Sequence, residues 1–308
     1  MRVFKKLEEL PQFKNAIISI GTFDGVHLGH QKILARLNAL AKENNGESIL
    51  ISFHPHPRFV IPSASKDLKL LNTLEEKIAL LEFYQLDNLV LAPFSHEFSQ
   101  MSALDYIKDF LVKNFQPNTI VIGYDHHFGK NRSGNISLLQ EQQDVFHYKI
   151  EEISKEVLED IDISSTKIRN ALLEGEIEIA NQLLGHHYEL NGIVIKGEQL
   201  GRKLGFPTAN LQLSVDYKLI PQIGVYAVTT LVRGKAYKGM LNIGFRPTVE
   251  GTNKTIELHI FDFEEDIYGE QIQIQLVNYI RAEQKFESIE NLKEQLEKDK
   301  LSALNFLM

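Results

Sequence analysis

Residues 17–31 read Ile-Ile-Ser-Ile-Gly-Thr-Phe-Asp-Gly-Val-His-Leu-Gly-His-Gln, and this stretch restricts the possible folds more than any other in the chain. An apolar run (Ile17, Ile18, Ile20) meets a glycine-rich turn holding Gly21, Gly25 and Gly29. Ile33, Leu34, Leu37, Leu40 and Ala41 then recur at helical spacing. A strand, a tight turn and a helix start in that order leave free backbone N–H groups and a helix dipole pointing at one spot, which favours an anion. His27 and His30 lie three residues apart, so both imidazoles can face one bound group. A lysine-bearing phosphate loop would continue Gly-Lys-Ser/Thr, and none follows. What remains is a phosphate cradle whose side-chain donors are histidines. The competing reading, a surface or core His-x-x-His on an ordinary helix, is weakened by the glycine-rich turn and the apolar strand before it.

From Ala16 to about Leu184, strand-like and helix-like patterns alternate. Strands are expected at Ser48–Phe53, Asn88–Ala92, Thr119–Gly123 and Val145–Ile150. Asn44-Asn45-Gly46 stops the first helix, and Thr73-Leu74-Glu75-Glu76 is a capping box opening another with Ile78, Leu81 and Leu86 inward. Ser102 is expected to cap a helix to about Asn114. This alternation predicts an α/β domain with a parallel sheet, ligands sitting at the strands' carboxyl ends. After Leu184 the pattern changes to short strands without intervening helices: Leu190–Lys196, Val225–Val232, Lys235–Ile243, Thr255–Phe263 and Gln271–Val277. They predict a small antiparallel barrel. A final helix after Ser288 places Ile289, Leu292 and Leu296 on one face. The boundary falls near Gly185-His186-His187, giving domains 1–185 and 186–308.

Three further segments of the first half carry polar chemistry. Ser52 to Pro57 (Ser-Phe-His-Pro-His-Pro) ends a strand; its His-x-His can open a metal site with ligands from other strand ends, or its prolines can simply shape a ligand wall. Gly123–Gly129 (Gly-Tyr-Asp-His-His-Phe-Gly), with Lys130 and Arg132 following, is either an ordinary loop or one in which Asp125 accepts a hydrogen bond from a nucleotide or flavin and Arg132 meets a phosphate. In Ile163–Arg169, Ser164 or Ser165 can cap a helix beginning at Thr166, whose first turn offers hydroxyls, Lys167 and Arg169. A routine capped helix would look the same.

In the second half, Lys196–Asn210 reads Lys-Gly-Glu-Gln-Leu-Gly-Arg-Lys-Leu-Gly-Phe-Pro-Thr-Ala-Asn. Gly197, Gly201, Gly205 and Pro207 allow a contorted backbone close to a ligand, unless the segment is only a loop tying two strands. Thr208 and Asn210 put a hydroxyl and an amide on one side of an extended chain, oxygens suited to Mg²⁺ beside phosphate. On Thr255–Phe263, Ile256, Leu258 and Ile260 face one way, and Glu257, His259, Phe261 and Phe263 the other. A carboxylate among aromatics is a candidate base beside a planar ligand, or a solvated strand residue. Arg281, Glu283 and Phe286 precede the last helix and are placed to close over a site.

The His-x-Gly-His turn resembles the nucleotidyltransferase superfamily. Taken in order, Gly21–His30, Ile163–Arg169, Gly201–Asn210 and Ile256–Phe263 resemble, over essentially the whole chain, the bifunctional prokaryotic riboflavin kinase/FMN adenylyltransferase (FAD synthetase) family. The resemblance implies a Rossmann-like nucleotidyltransferase domain, a riboflavin kinase barrel and a C-terminal helix. It implies ATP as co-substrate, Mg²⁺ as cofactor, and riboflavin, FMN and FAD as substrate or product. Glu257 would be the general base of the kinase, Thr208 and Asn210 would hold Mg²⁺ and ATP phosphates, and Arg281 would sit near the flavin. Gly201, Lys203, Gly205 and Pro207 would complete that nucleotide loop. His27 and His30, with Ser164, Thr166 and Arg169, would stabilise triphosphate and leaving pyrophosphate, while Gly21, Phe23, Asp24, Gly29, Asp125 and Ser165 would contact nucleotide or flavin. One departure is visible: the family's loop commonly reads Gly-x-Asp-Phe-Arg-Phe-Gly, and here His126 and His127 replace an aromatic and an arginine. An enzyme with one active half and a flavin- or nucleotide-responsive binding protein without turnover are the alternatives.

Composition bears on partners. The formal net charge of −8 argues against non-specific nucleic-acid binding, and no apolar run approaches membrane-spanning length. The first residues, Met1–Phe13, lack the continuous apolar region of a signal peptide. With no cysteine in 308 residues, thiolate metal sites and thiol nucleophiles are excluded. Small-molecule substrates in the cytoplasm are the expectation.

Overall fold

The computed structural model describes residues 1–61, 68–153, 163–197, 201, 204–248 and 251–308. Its contacts divide the chain into two compact units, Met1–Ser164 and Ser165–Met308.

The first unit is built on strands β1 (Arg2–Phe4), β2 (Ile17–Ile20), β3 (Ser48–His54), β4 (Asn88–Pro93), β5 (Thr119–Gly123) and β6 (Lys149–Ile153). They form one parallel sheet in the order β1-β4-β3-β2-β5-β6. The helices are α1 (Leu28–Glu43), α2 (Pro57–Val60), α3 (Leu74–Phe83), α4 (His96–Ser99), α5 (Ala103–Asp105), α6 (Lys113–Phe115) and α7 (Ile136–Phe146). All four residues of β2 are buried, as a strand covered on both faces by crossover helices requires. Alternate residues of the strands feed two cores, one around Ile18, Ile49 and Ile120 and the other around Ile17, Leu50 and Val121. From β2 the chain proceeds outward through β3 and β4, and β5 and β6 lie on the other side. The topological switch point is therefore between β2 and β5, where open α/β sheets take their ligands.

Several expectations are corrected here. The strand expected at Val145–Ile150 begins later, because Val145 and Phe146 complete α7 and His147 ends it in a left-handed conformation at φ 58°. The helix capped by Ser102 does reach Phe115, but residues Tyr106–Val112 are wound as a π-helix between α5 and α6. Leu86 is buried beyond the end of α3, whose buried face is Glu76, Lys77 and Leu81, with Ile78 half-buried.

The second unit begins with α8 (Ser165–Glu174) and α9 (Ile177–Leu184), the latter ended by Gly185 at φ 74°. Strands β7 (Tyr188–Ile195), β8 (Ala209–Leu213), β9 (Gly224–Val232), β10 (Lys235–Thr248), β11 (Gly251–Ile260) and β12 (Gln271–Arg281) close an antiparallel barrel in the order β10-β11-β8-β7-β12-β9. Strand β8 lacks its own sequence signal; its residues are the end of the glycine–proline segment. The C-terminal helix α10 (Ile289–Phe306) starts at Ser288, whose hydroxyl accepts the Asn291 N–H. Ile289, expected inward, is exposed, while Asp299 and Ala303 are buried. Helices α8 and α9 pack on the barrel: the Gln222 N–H bonds the Leu172 carbonyl and the Asn181 amide bonds the Leu276 carbonyl. The boundary at 185/186 thus separates sequence patterns, whereas packing divides the chain earlier.

Helix α10 is tied to the barrel by an ion pair whose carboxylate is buried. Arg281, the last residue of β12, bonds Asp299 through Nε (2.8 Å to Oδ1) and Nη2 (2.6 Å to Oδ2), and Gln295 donates to the same carboxylate at 2.8 Å. Removing one partner of such a pair strands the other charge. Asp299→Ala is expected to cost the second unit about 3 kcal/mol, read as faster amide hydrogen exchange in β9, β10 and β12, with the first unit's exchange unchanged.

Candidate functional site

The first site lies in the turn between β2 and α1. Gly21 donates its N–H to the Ile51 carbonyl, and the chain then folds tightly through Phe23 (φ 48°), Gly25 (φ 87°) and Val26 (φ 41°). Left-handed geometry is easy for glycine and costly for a β-branched residue, so Val26 marks stored strain at the turn. His27 caps α1, its Nδ1 accepting the His30 N–H at 3.4 Å. That bond leaves the His27 proton on Nε2 in the neutral ring. The imidazoles of His27 and His30 stack with centroids 3.6 Å apart, and Phe23 stacks on His30 from the other side at 4.3 Å. Gly29 leaves room beside this stack, since a Cβ there would come within 3.3 Å of the His27 ring.

Burial keeps both rings uncharged. It depresses His27 to about 4, against the pull of the Asp24 carboxylate, and His30 falls well below the ordinary value through burial and then the neighbouring His27 and Lys77. His30 Nδ1 is buried and, among the described residues, has no hydrogen-bond partner. The structure therefore brings Gly21, Phe23, Asp24, His27, Gly29 and His30 together, as the sequence implied. It adds Lys77, whose Nζ donates to the Thr22 carbonyl at 2.8 Å. Only its place one turn before buried Leu81 on α3 could have drawn attention to it.

The loop after β5 flanks the same side of the switch point. Asp125 is exposed, and its carbonyl accepts from His127 Nδ1 at 2.9 Å. His126 is depressed to about 4 by burial, and its Nε2 has no partner among the described residues. Phe128, stacked on Tyr106, pairs with Gly134 through two backbone hydrogen bonds. The His-x-His after β3 gains no metal support: among the described residues no cluster of three His, Asp or Glu side chains stands close enough to hold an ion. His56 instead caps α2. Ser164 precedes α8, which starts at Ser165 rather than Thr166; Thr166 and Arg169 lie in its first turn and a half, in the second unit.

The second site is a cavity of about 280 Å³ in the barrel unit, lined by Gly201, Phe206, Thr208, Glu257, Arg281 and Leu296 among others. Strand register positions Glu257 of its polar wall. Glu257 of β11 pairs with Asn210 of β8, and the Thr208 hydroxyl donates to the Glu257 carboxylate at 3.4 Å. Gly197 is held against the Asn210 amide so closely that a Cβ would sit 2.1 Å from Nδ2. Gly201 and Phe206 close the bend with a backbone bond of 2.9 Å, and Gly205 takes φ 84°. His259 Nδ1–H donates to the Pro207 carbonyl at 2.8 Å, fixing the bend from β11. Lys203 lies outside the described residues. Arg281 reaches the cavity while paired with Asp299. Glu257 is thus half-buried in a cavity wall, and the solvated alternative is set aside.

A parallel sheet with a histidine-lined turn at its switch point, in one chain with a barrel whose cavity is lined by a carboxylate and a hydroxyl, fits a two-site phosphorus-transferring enzyme. Residues 10–167 match the FAD synthetase family and residues 184–307 the riboflavin kinase family. A bifunctional riboflavin kinase/FMN adenylyltransferase of Buchnera aphidicola is 40% identical, over 97% of this chain and 96% of that one. Another of that description, from Listeria monocytogenes, is 37% identical over 95% and 92%. A crystal structure described as a macrolide-efflux protein of Streptococcus pneumoniae superposes with a TM-score of 0.89 at 29% identity, covering 99% of this chain and 98% of the other. Among the described residues here, no helix is long and apolar enough to cross a membrane. The chain belongs to the bifunctional riboflavin kinase/FMN adenylyltransferase family.

The buried neutral histidines carry a stability signature. Below the ordinary histidine pKa of 6.5 the unfolded chain binds protons that folded His27 and His126 refuse until about 4. The unfolded state then holds more protons, so stability falls as pH drops from 6.5 toward 4. His27→Gln is expected to flatten this slope in urea titrations of the first unit, by an amount on the order of 1–3 kcal/mol across that window.

Proposed function

We propose that the barrel unit transfers the γ-phosphoryl group of ATP to the ribityl 5′-hydroxyl of riboflavin, giving FMN and ADP, and that the histidine turn serves the transfer of AMP from a second ATP to FMN, giving FAD and pyrophosphate. The observation that carries this assignment is the occurrence, in one chain, of two unlike side-chain sets, a stacked histidine pair in the first unit and a carboxylate–hydroxyl pair in the cavity of the second.

In the kinase site Glu257 draws the proton from the ribityl hydroxyl as its oxygen attacks the γ-phosphorus, while the Thr208 hydroxyl bond orients the carboxylate. Arg281, held by Asp299, lies beside the flavin, and the apolar wall around Phe206 and Leu296 excludes water from it. Gly201, Lys203, Gly205 and Pro207 shape the nucleotide loop. The side-chain oxygens of Thr208 and Asn210 suit Mg²⁺, which takes few protein ligands and accepts phosphate oxygens and water for the rest. Bound there, it would neutralise phosphate charge. Little else is asked of the protein, because phosphoryl transfer depends mainly on positioning and charge.

In the adenylyl-transfer site the FMN phosphate oxygen bonds to the α-phosphorus as the bridging oxygen leaves with pyrophosphate. No covalent enzyme intermediate is needed. The neutral imidazoles of His27 and His30 supply N–H donors to the charge that grows on the leaving group. Gly21, Phe23, Asp24 and Gly29 shape that cradle, Ser164, Ser165, Thr166 and Arg169 are assigned to the same reaction by the motif they form, and Asp125 to flavin or nucleotide contact. The functional division proposed is 1–185 and 186–308. A cytoplasmic enzyme with small-molecule substrates, and no nucleic-acid or membrane partner, completes the reading.

Glu257→Gln is expected to cut FMN formation by roughly 100-fold or more while sparing conversion of supplied FMN to FAD, and His30→Ala to do the reverse. Chromatography of flavin products from riboflavin, ATP and Mg²⁺ reads both. Loss of both reactions in either folded variant would overturn the division of labour. Chelation of Mg²⁺ should halt FMN formation and leave the fold intact by circular dichroism.

A further inference from the structure

A buried carboxylate of the histidine turn and a buried ammonium bonded to that turn are found together, and neither the glycine pattern nor the reaction scheme above accounts for the cation. Asp24 and Lys77 are only 2% and 7% exposed. The Asp24 carboxylate, from the turn, accepts the N–H groups of Leu71 (2.8 Å) and Asn72 (3.4 Å). Lys77, from α3, donates its ammonium to the Thr22 carbonyl at 2.8 Å. The turn and the segment leading into α3 are thus stitched in both directions, each lending a side chain to the other's backbone. The start of α3 is itself rigid, its capping box closed by Thr73 and Glu76, one residue before Lys77.

Burying an ammonium is expensive unless a charge or dipole answers it. Burial pulls the Lys77 pKa down, and the Asp24 carboxylate favours the charged form. That charge in turn disfavours a proton on His30. The consequence for a polyphosphate is specific. The two imidazoles offer N–H dipoles without net charge, and the turn lacks the lysine that phosphate loops usually carry within the motif. A cation does stand behind this turn, delivered from a helix more than forty positions downstream of it.

We propose that Lys77 is a positioning residue for adenylyl transfer: it pins the Thr22 carbonyl so that the turn keeps its N–H groups toward the anion, and it sets a fixed positive charge behind the site that takes the nucleoside triphosphate. The inference rests on the assignment of the histidine turn to adenylyl transfer. Its ligand class is polyphosphate, so ATP and free pyrophosphate should both feel the loss of the cation and FMN should not.

The test uses the full chain with Lys77→Met, which keeps length and loses charge and donor, and Lys77→Arg, which keeps both. Riboflavin phosphorylation reports the intact second unit, and thermal melting reports folding. Expected for Lys77→Met is a rise of about tenfold or more in KM for ATP in FMN-to-FAD conversion, a parallel rise in the inhibition constant of pyrophosphate, and a change of less than about twofold in KM for FMN. Lys77→Arg should bring KM for ATP back to within about threefold of the parent. An unchanged KM for ATP, an equal rise in both KM values, or no rescue by arginine overturns the proposal. Should the methionine variant fail to fold, Lys77→Gln is judged by the same criteria. His30→Ala separates the two layers: full FAD formation in that variant refutes the site itself, whereas its loss beside an unaltered Lys77→Met refutes only the lysine's part.

Discussion

Two imidazoles stacked 3.6 Å apart in a largely buried turn cannot both carry a positive charge, and the first unit is organised around keeping them neutral. Phe23 covers the stack, Gly29 gives it room, and the charge of Lys77 works against protonation of His30. Neutrality has a chemical use. A preorganised N–H dipole stabilises charge that develops during reaction without requiring a counterion to be released first. The strand β2 fixes where the stack stands, because it lies at the centre of the sheet with every residue buried, so the turn leaves it at one defined height.

The barrel meets a similar problem with different means. The carboxylate in its cavity wall is placed by strand register: Glu257 opposite Asn210, with Thr208 one residue outside the ladder. A slip of one residue would turn Glu257 to the other face and bring Leu258 or Ile256 into the wall. His259, two residues along the same face, guards against this by bonding the Pro207 carbonyl, so the proline bend and β11 move as one piece. Burial lowers the His259 pKa, opposed by that bond and helped by Lys300 of α10.

Much of this was legible in the sequence for physical reasons. The parallel sheet announced itself through short apolar runs between capped helices, and the histidine turn through its glycines, because both patterns are local. Strand β8 was not legible: its residues are those of the bend, and only pairing with β7 and β11 makes them a strand. The edge between α7 and β6 was misplaced since Val145 and Phe146 suit either element, and the left-handed His147 that decides between them carries no glycine to mark it. Lys77 was missed because a lysine beside a capping box is ordinarily solvated; here tertiary packing overrides that habit. Ile289 erred in the opposite direction, an apolar residue left in water because α10 turns its Asp299 face to the barrel.

The bond between Arg281 and Asp299 gives this chain a direction in time. Residues up to Ser164 already form a compact unit, whereas Arg281 waits for a carboxylate 18 residues further along the chain. On a translating ribosome the sheet and its histidine turn can therefore settle while the barrel's arginine still lacks its mate. Emergence of α10 is the event that supplies this mate to the half whose product the other half consumes.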